Sequence, residues 1–221
     1  MRVESRGLRR LLAGCVLTGL LLAAAPAGAT LTGLSGLLTV PTADVLPQGG
    51  LEAGIHFVGE DGKESIDRLV AAFAMGAIEN VEAGLTNLRK KGSWGEFELA
   101  LKGLFLAETA RNPGVAVGFE PSRAFVVASK RISPRLRVHA GYGYGEEDGL
   151  FGGASFALTT ASAARSALRA PTITAMAEYT RAGVNVGARL VFSPTLSADV
   201  GILDLEGSNE WIAGVSYRRS F

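Results

Sequence analysis

Few residues of this 221-residue sequence have the types and spacing that covalent or metal chemistry requires. The two histidines, His56 and His139, do not belong to an H-E-x-x-H pair, and the Asp, His and Cys residues show no metal-ligand spacing. The sequence also lacks a G-x-S-x-G nucleophile elbow and a phosphate-binding P-loop. We therefore predict a protein that is not an enzyme and that holds neither a metal ion nor another cofactor.

Residues 1–29 are predicted to be a secretory signal peptide. Four arginines precede an apolar run over 11–25, and Pro26 and the small residues 27–29 follow it, which is the order that a signal peptidase recognises. Lipidation of Cys15 is the weaker alternative, because most of the apolar run follows this cysteine. Since Cys15 is the only cysteine, the mature chain is predicted to contain no disulfide and no cysteine nucleophile.

The charges of the remaining chain are scattered and nearly balanced. The whole sequence has 22 Lys and Arg against 21 Asp and Glu, and the predicted leader removes arginines, so the mature chain is slightly acidic. No basic patch is available for nucleic acid, which we exclude as a partner. Hydrophobic residues make up 48% of the sequence, which is too many for a disordered chain.

Period-two alternation of apolar and polar residues recurs along the chain and predicts β-strands. Its clearest examples are 94–105, 134–144 and 183–192, and residues typical of turns separate such segments at short intervals. We predict twelve strands, within a range of ten to fourteen. Their approximate bounds are 49–59, 66–76, 80–88, 94–105, 114–119, 123–132, 134–144, 149–159, 172–181, 182–192, 195–204 and 209–221.

Three features favour a membrane barrel over a soluble periplasmic β-protein, which remains the alternative. Many of the strands have the length of a tilted membrane strand, and one face of each is apolar while the other carries small, polar and charged residues. The last strand ends in the aromatic Phe221, which resembles the signal read by the outer-membrane barrel-insertion machinery. Because open strand edges are not tolerated in lipid, we expect a closed antiparallel transmembrane β-barrel in the bacterial outer membrane, with membrane lipid as a partner.

The polar face of these strands should line the lumen. Mixed charges there could pair across the interior and block it, which we favour, or line a path for small solutes. The candidate lumen-facing residues are Glu98, Lys102, Arg137, His139, Glu178, Asn185, Arg189 and Asp199.

A catalytic alternative uses residues of the same polar faces. His139, Ser155 and Glu178 could supply the base, nucleophile and acid of an outer-membrane lipid hydrolase. Lipid hydrolysis would however need these side chains at a lipid-accessible surface. We favour the simpler interpretation that all three face the lumen.

Residues 30–48 precede the predicted barrel domain of residues 49–221 and show no periodicity. Pro41 lacks a backbone donor and restricts Val40 to extended conformations, so the segment is expected to be irregular. It could fold into the barrel as a plug or lie across its periplasmic mouth, or it could be a lead-in that only sets the register of the first strand.

The sequence resembles the YjbH-like outer-membrane proteins. The resemblance begins at Gly33 to Gly50, which contains a Gly-Leu pattern, Pro-Thr-Ala and a later glycine pair. Weaker motifs continue it through Gly114–Gly118, Val126–Lys130, Gly141–Tyr144, Leu150–Gly153, Ala177–Tyr179 and Asn185–Gly187. The resemblance implies a role in exopolysaccharide production, export or surface retention, with polysaccharide or export proteins as partners. A small passive pore is the alternative function.

Overall fold

The chain folds into one closed barrel of antiparallel strands. The computed structural model describes residues 28–60, 66–90, 93–146, 148–159, 171–205 and 207–220. Most of the predicted leader and Phe221 lie outside these described residues. Two short strands, β1 (Gly28–Ala29) and β2 (Ser35–Gly36), pair with each other. The barrel strands are β3 (Leu51–Glu60), β4 (Arg68–Ile78), β5 (Val81–Lys90), β6 (Ser93–Leu106), β7 (Gly114–Glu120), β8 (Arg123–Arg131), β9 (Leu136–Gly145), β10 (Gly149–Ala157), β11 (Thr172–Thr180), β12 (Gly183–Ser193), β13 (Leu196–Leu203) and β14 (Glu210–Arg219).

Each barrel strand pairs with its neighbours along the chain, and β14 closes the ring against β3 through ten consecutive residue pairs from Glu210–Glu60 to Arg219–Leu51. Closure leaves no strand edge exposed, which is the condition for a sheet to exist in lipid. The predicted fold and strand number are confirmed, and the strand ends fall within a residue or two of the predicted ones. We call the end where β3 begins and β14 ends the terminal end, and the opposite one the distal end.

The outer surface of the barrel is apolar, as the alternation predicts. Along β13, Val200 and Ile202 are exposed on the outside, whereas Asp199 and Leu203 are buried inside. Large exposed apolar side chains continue around the ring and include Ile55, Phe73, Leu85, Leu99, Val117, Val126, Phe156, Phe192 and Val215. A surface of this kind on a closed barrel is typical of outer-membrane proteins, whose outer face contacts lipid.

Among the described residues, no helix has the length and hydrophobicity needed to cross a bilayer.

Residues 30–48 fold inside the barrel, and we call them the plug segment. Ser35 contacts Glu82 on β5, and Leu38 contacts Glu178 on β11. In the ring of twelve strands, β5 and β11 are six strands apart and therefore opposite each other. A segment that reaches both walls must cross the lumen, so it occupies the barrel interior.

The interior has two apolar clusters, each formed partly by the plug segment. In the first, Leu34, Val40 and Ala43 pack against residues of β6, β7, β8 and β10, including Phe125 and Phe151. In the second, Leu37 and Leu38 pack against side chains of β3, β11, β13 and β14. The plug segment thus contributes the hydrophobic core that the strands alone do not provide.

The lipid-facing surface can be tested with two lysine substitutions on one strand. Val200 lies in the middle of β13, whereas Leu196 is the first residue of β13 and lies at the terminal end of the barrel. Both side chains are similarly exposed on the outer face. Because a lysine at the bilayer midplane costs about 2–4 kcal/mol and one near the interface about 0–1 kcal/mol, Val200→Lys should destabilise the folded barrel far more than Leu196→Lys. Urea unfolding in lipid vesicles measures this difference. Equal effects of the two substitutions would contradict a membrane-embedded outer face.

Candidate functional site

The strongest attachment of the plug segment is a carboxylate on β11. Glu178 accepts hydrogen bonds from three successive backbone amides, of Leu38 at 2.6 Å, Thr39 at 3.1 Å and Val40 at 3.2 Å. It also accepts one from the Thr39 hydroxyl at 2.9 Å. The Asn185 amide on β12 donates to Glu178 at 3.0 Å and so fixes the carboxylate. A buried carboxylate is stable here because these donors replace its water.

The opposite wall holds the segment with a second carboxylate. Glu82 on β5 accepts hydrogen bonds from the Ser35 amide at 2.5 Å, the Ser35 hydroxyl at 2.7 Å and the Leu46 amide at 2.7 Å. The ammonium of Lys102, on β6, lies 3.5 Å from Glu82 and donates to the Ser35 carbonyl at 2.6 Å. The two charges are fully buried and neutralise each other, as charges in such an interior must.

A guanidinium binds the carbonyl groups of the segment. Arg189 on β12 pairs with Asp199 on β13 at 2.7 Å, and it donates to the carbonyls of Gly36 at 3.1 Å and Leu37 at 2.9 Å. The planar guanidinium can serve both groups because its donors point in different directions. The arginine therefore links the barrel wall to the plug backbone.

A fourth contact lies towards the terminal end of the barrel. The Ala43 amide donates to the Ser129 hydroxyl on β8 at 2.8 Å, and this hydroxyl lies 2.8 Å from Nδ1 of His139 on β9. Arg137 forms ion pairs with Asp44 of the segment and, at 2.9 Å, with Glu108. Burial alone would raise the pKa of the Asp44 carboxyl, but the Arg137 guanidinium outweighs this effect and holds the pKa below its usual value.

At the distal end of the barrel the segment contacts an ion pair of the wall. Thr32 donates to Glu120 at 2.8 Å, and Glu120 pairs with Arg123 at 3.1 Å. The Arg123 guanidinium also lies 4.8 Å from the centre of the Phe151 ring, within cation–π range. The segment is thus held at both ends of the lumen as well as at its middle.

Inward-facing glycines make room for the segment. A Cβ on Gly84 would lie 2.4 Å from the Gly33 carbonyl oxygen, and one on Gly153 would lie 2.6 Å from Leu37. Cβ atoms on Gly187 and Gly201 would lie 2.9 and 3.0 Å from the Leu38 side chain. These wall positions leave the space that the segment occupies.

The structure brings most of the predicted lumen residues to the plug segment. Lys102, Glu178, Asn185 and Arg189 are buried and contact it directly, and Arg137 contacts it at Asp44. Asp199 is buried beside Arg189, and His139 beside Ser129. Glu98 lies on the same face of β6 as Ala100 and Lys102 but is exposed to solvent.

Several interior residues were missed by the sequence analysis, namely Glu52, His56, Glu82, Glu120, Arg123 and Ser129. The period-two alternation does predict that the side chains of such residues point inward. Glu82, for example, lies between the outward-facing Val81 and Ala83, so its position alone indicates an inward direction. Its partners in the plug segment have no such signal.

The arrangement does not favour catalysis. His139 contacts Ser129 rather than Ser155, and Glu178 is engaged by the plug backbone. Both side chains are buried in the lumen, not at the lipid-facing surface that a lipid hydrolase needs. Within the described part of the chain, no group of three or more His, Cys, Asp or Glu residues is placed to hold a metal ion.

No protein-family model and no curated protein matches this chain. Among solved structures it is similar to a KdgM porin, with 14% identity and a TM-score of 0.49 over 77% of this chain and 99% of that one. It is also similar to the NanC porin, with 10% identity and a TM-score of 0.44 over 76% of this chain and 98% of that one. Both likenesses are too remote to assign a function or a solute.

The contribution of Glu178 can be measured by amide hydrogen exchange. Glu178→Gln removes the charge that three plug amides share, and a hydrogen bond to a charged group contributes about 1.5–3 kcal/mol. We expect the amides of residues 38–40 to exchange about ten- to a hundredfold faster, while the barrel strands keep their protection. Glu98→Gln, at an exposed position, is the control and should leave exchange unchanged. Unaltered exchange in Glu178→Gln would show that the carboxylate does not hold the segment.

Proposed function

We propose that this protein is an outer-membrane channel for small polar solutes that its own plug segment closes. The observation that carries this proposal is that the lumen is filled by a segment whose backbone is held by charged side chains of the wall, through hydrogen bonds and ion pairs that water can replace, beside two apolar clusters. The open lumen would present carboxylates, guanidinium groups and an ammonium, a mixture suited to hydrated solutes of either charge.

The seated segment leaves little space for a solute. Leu34 and Val40 are completely buried, and the contacts to Glu82 and Glu178 span the full width of the barrel. A solute would have to displace the segment rather than pass beside it. The described conformation is therefore the closed one.

At the terminal end of the barrel, two backbone hydrogen bonds join the end of the segment to β4. Gly49 donates to the Gly76 carbonyl at 2.9 Å, and Gly76 donates to the Gly50 carbonyl at 2.9 Å. Gly49 has a φ of 76°, a conformation that glycine adopts without strain. Gly49 and Gly50 form the hinge about which the segment would rotate as it leaves the lumen.

A role in exopolysaccharide production, export or surface retention, which the YjbH-like resemblance implies, stays a prediction. It is compatible with a gated barrel but has no support from the comparisons. A strain that lacks the gene should then have less surface polysaccharide, and the variant locked by the disulfide described below should fail to restore it.

The channel proposal predicts the behaviour of a variant without residues 30–48. Removing the segment should raise the single-channel conductance in planar bilayers, because the lumen then fills with water. Heat-modifiable gel mobility must first show that the shortened barrel is folded. A folded barrel with the same conductance as the full-length protein would overturn the proposal.

A disulfide can lock the segment in place. A Cβ on Gly114 of β7 would lie 3.6 Å from the Ala43 Cβ, within the separation of about 3.5–4.5 Å found in disulfides. The double variant Ala43→Cys, Gly114→Cys should show no channel openings when oxidised and should regain those of the full-length protein after reduction. The two single variants are the controls. Openings that persist in the oxidised, fully cross-linked protein would exclude gating by this segment.

A further inference from the structure

The lumen wall binds the plug segment largely through the segment's backbone. Barrel side chains accept hydrogen bonds from the amides of residues 35, 38, 39, 40, 43 and 46 and donate to the carbonyls of residues 35, 36 and 37. Backbone groups are the same in every peptide, so these contacts recognise a polypeptide by its backbone. The bound segment folds back on itself, since Leu37 donates to the Val40 carbonyl at 3.0 Å and Gly36 pairs with Pro41. Nothing in the contacts with the wall requires the peptide to be covalently continuous with the barrel.

The wall also fixes the direction of the bound chain. Arg189 on β12 binds the carbonyls of residues 36 and 37, and Glu178 on the adjacent β11 binds the amides of residues 38–40. A peptide running the opposite way would present these groups in the reverse order and would leave a buried charge unpaired. Such a charge is costly, so the two residues select one orientation.

Three consecutive positions are selected by shape. Gly36 has no space for a side chain in the bound conformation, because the segment folds back on itself and a Cβ there would lie 2.4 Å from its own Val40 carbonyl oxygen. Leu37 packs over Gly153, and Leu38 packs over Gly187 and Gly201, next to apolar side chains such as Met176 and Ile212. The turn of the bound peptide thus requires a glycine, and the wall accepts two leucine-sized side chains after it.

From these contacts we infer that the lumen is a peptide-binding site that accepts a folded-back peptide segment in trans when its own plug segment has left. The ligand is a polypeptide stretch with a Gly-Leu-Leu core followed by a hydroxyl residue. Such a peptide would close the channel in the manner of the plug segment. The inference rests on the proposed function in one respect, that the plug segment can leave the lumen.

The test uses the folded barrel that lacks residues 30–48 and a fluorescent synthetic peptide of residues 30–48. Fluorescence anisotropy should show saturable binding, and the Glu178→Gln barrel should bind the peptide at least tenfold more weakly. A peptide carrying Gly36→Val is the matched control and should also bind at least tenfold more weakly. Absence of saturable binding, or equal binding of the two peptides, would overturn the inference.

A second measurement uses the full chain, in case the shortened barrel does not fold. In a Leu34→Cys variant, excess unlabelled peptide should speed alkylation of the buried thiol, because the peptide competes with the plug segment for the lumen. The Gly36→Val peptide should have no such effect. Equal alkylation rates with and without the peptide would contradict binding in trans.

Conductance separates this inference from the channel proposal. If the shortened barrel binds the peptide but does not conduct, the channel proposal fails and the peptide site stands. If it conducts but the peptide neither binds nor blocks it, the peptide site fails and the channel proposal stands.

Discussion

An irregular segment inside a protein must find a partner for every backbone amide and carbonyl group, and this requirement governs the interior of the barrel. A barrel strand satisfies its own backbone groups through its neighbours, but residues 30–48 form almost no regular structure. Some of their donors and acceptors bond within the segment, as the Leu37 amide does to the Val40 carbonyl. Others are met by charged side chains of the wall, chiefly Glu82, Glu178 and Arg189. In this conformation the buried charges of the wall take the place of a neighbouring strand as hydrogen-bond partners of the segment.

The same requirement explains the mixture of residue types on the inward faces. Charges stand where plug amides and carbonyls need partners, whereas glycines stand where the segment approaches the wall most closely, as at Gly84 and Gly187. Apolar side chains such as Phe125 and Met176 fill the remaining space against the leucines of the segment. The interior is therefore a packed protein core with charged contacts distributed through it.

The sequence predicts the strands of the barrel wall well, but it does not predict the path of the plug segment inside the barrel. Period-two alternation identifies the strands and their faces because each strand is buried on one side only. Alternation predicts which face of a strand a side chain lies on, but not how deeply that side chain is buried. Glu98 and Lys102 therefore have the same pattern, although Glu98 is exposed and Lys102 is buried. Glu82 and Glu178 lie on opposite walls because the ring of strands closes, and no local sequence pattern predicts this closure. The path of residues 30–48 follows from their contacts with the wall, and hence only from the folded barrel.

The position of the plug segment in the chain has a consequence for assembly. The segment is synthesised before every barrel strand, yet its contact with Glu178 spans 140 residues and the arginine that binds Gly36 lies still later, on β12. Contacts between residues so far apart in the sequence form late, because the conformational entropy of the long intervening loop must be lost first. The segment therefore lacks its partners on β11 and β12 until these late strands are made, although Glu82 and Lys102 are made much earlier. Complete occupation of the lumen thus requires the late strands as well as the early ones, and a chain truncated before β11 lacks both Glu178 and Arg189 as partners of the segment.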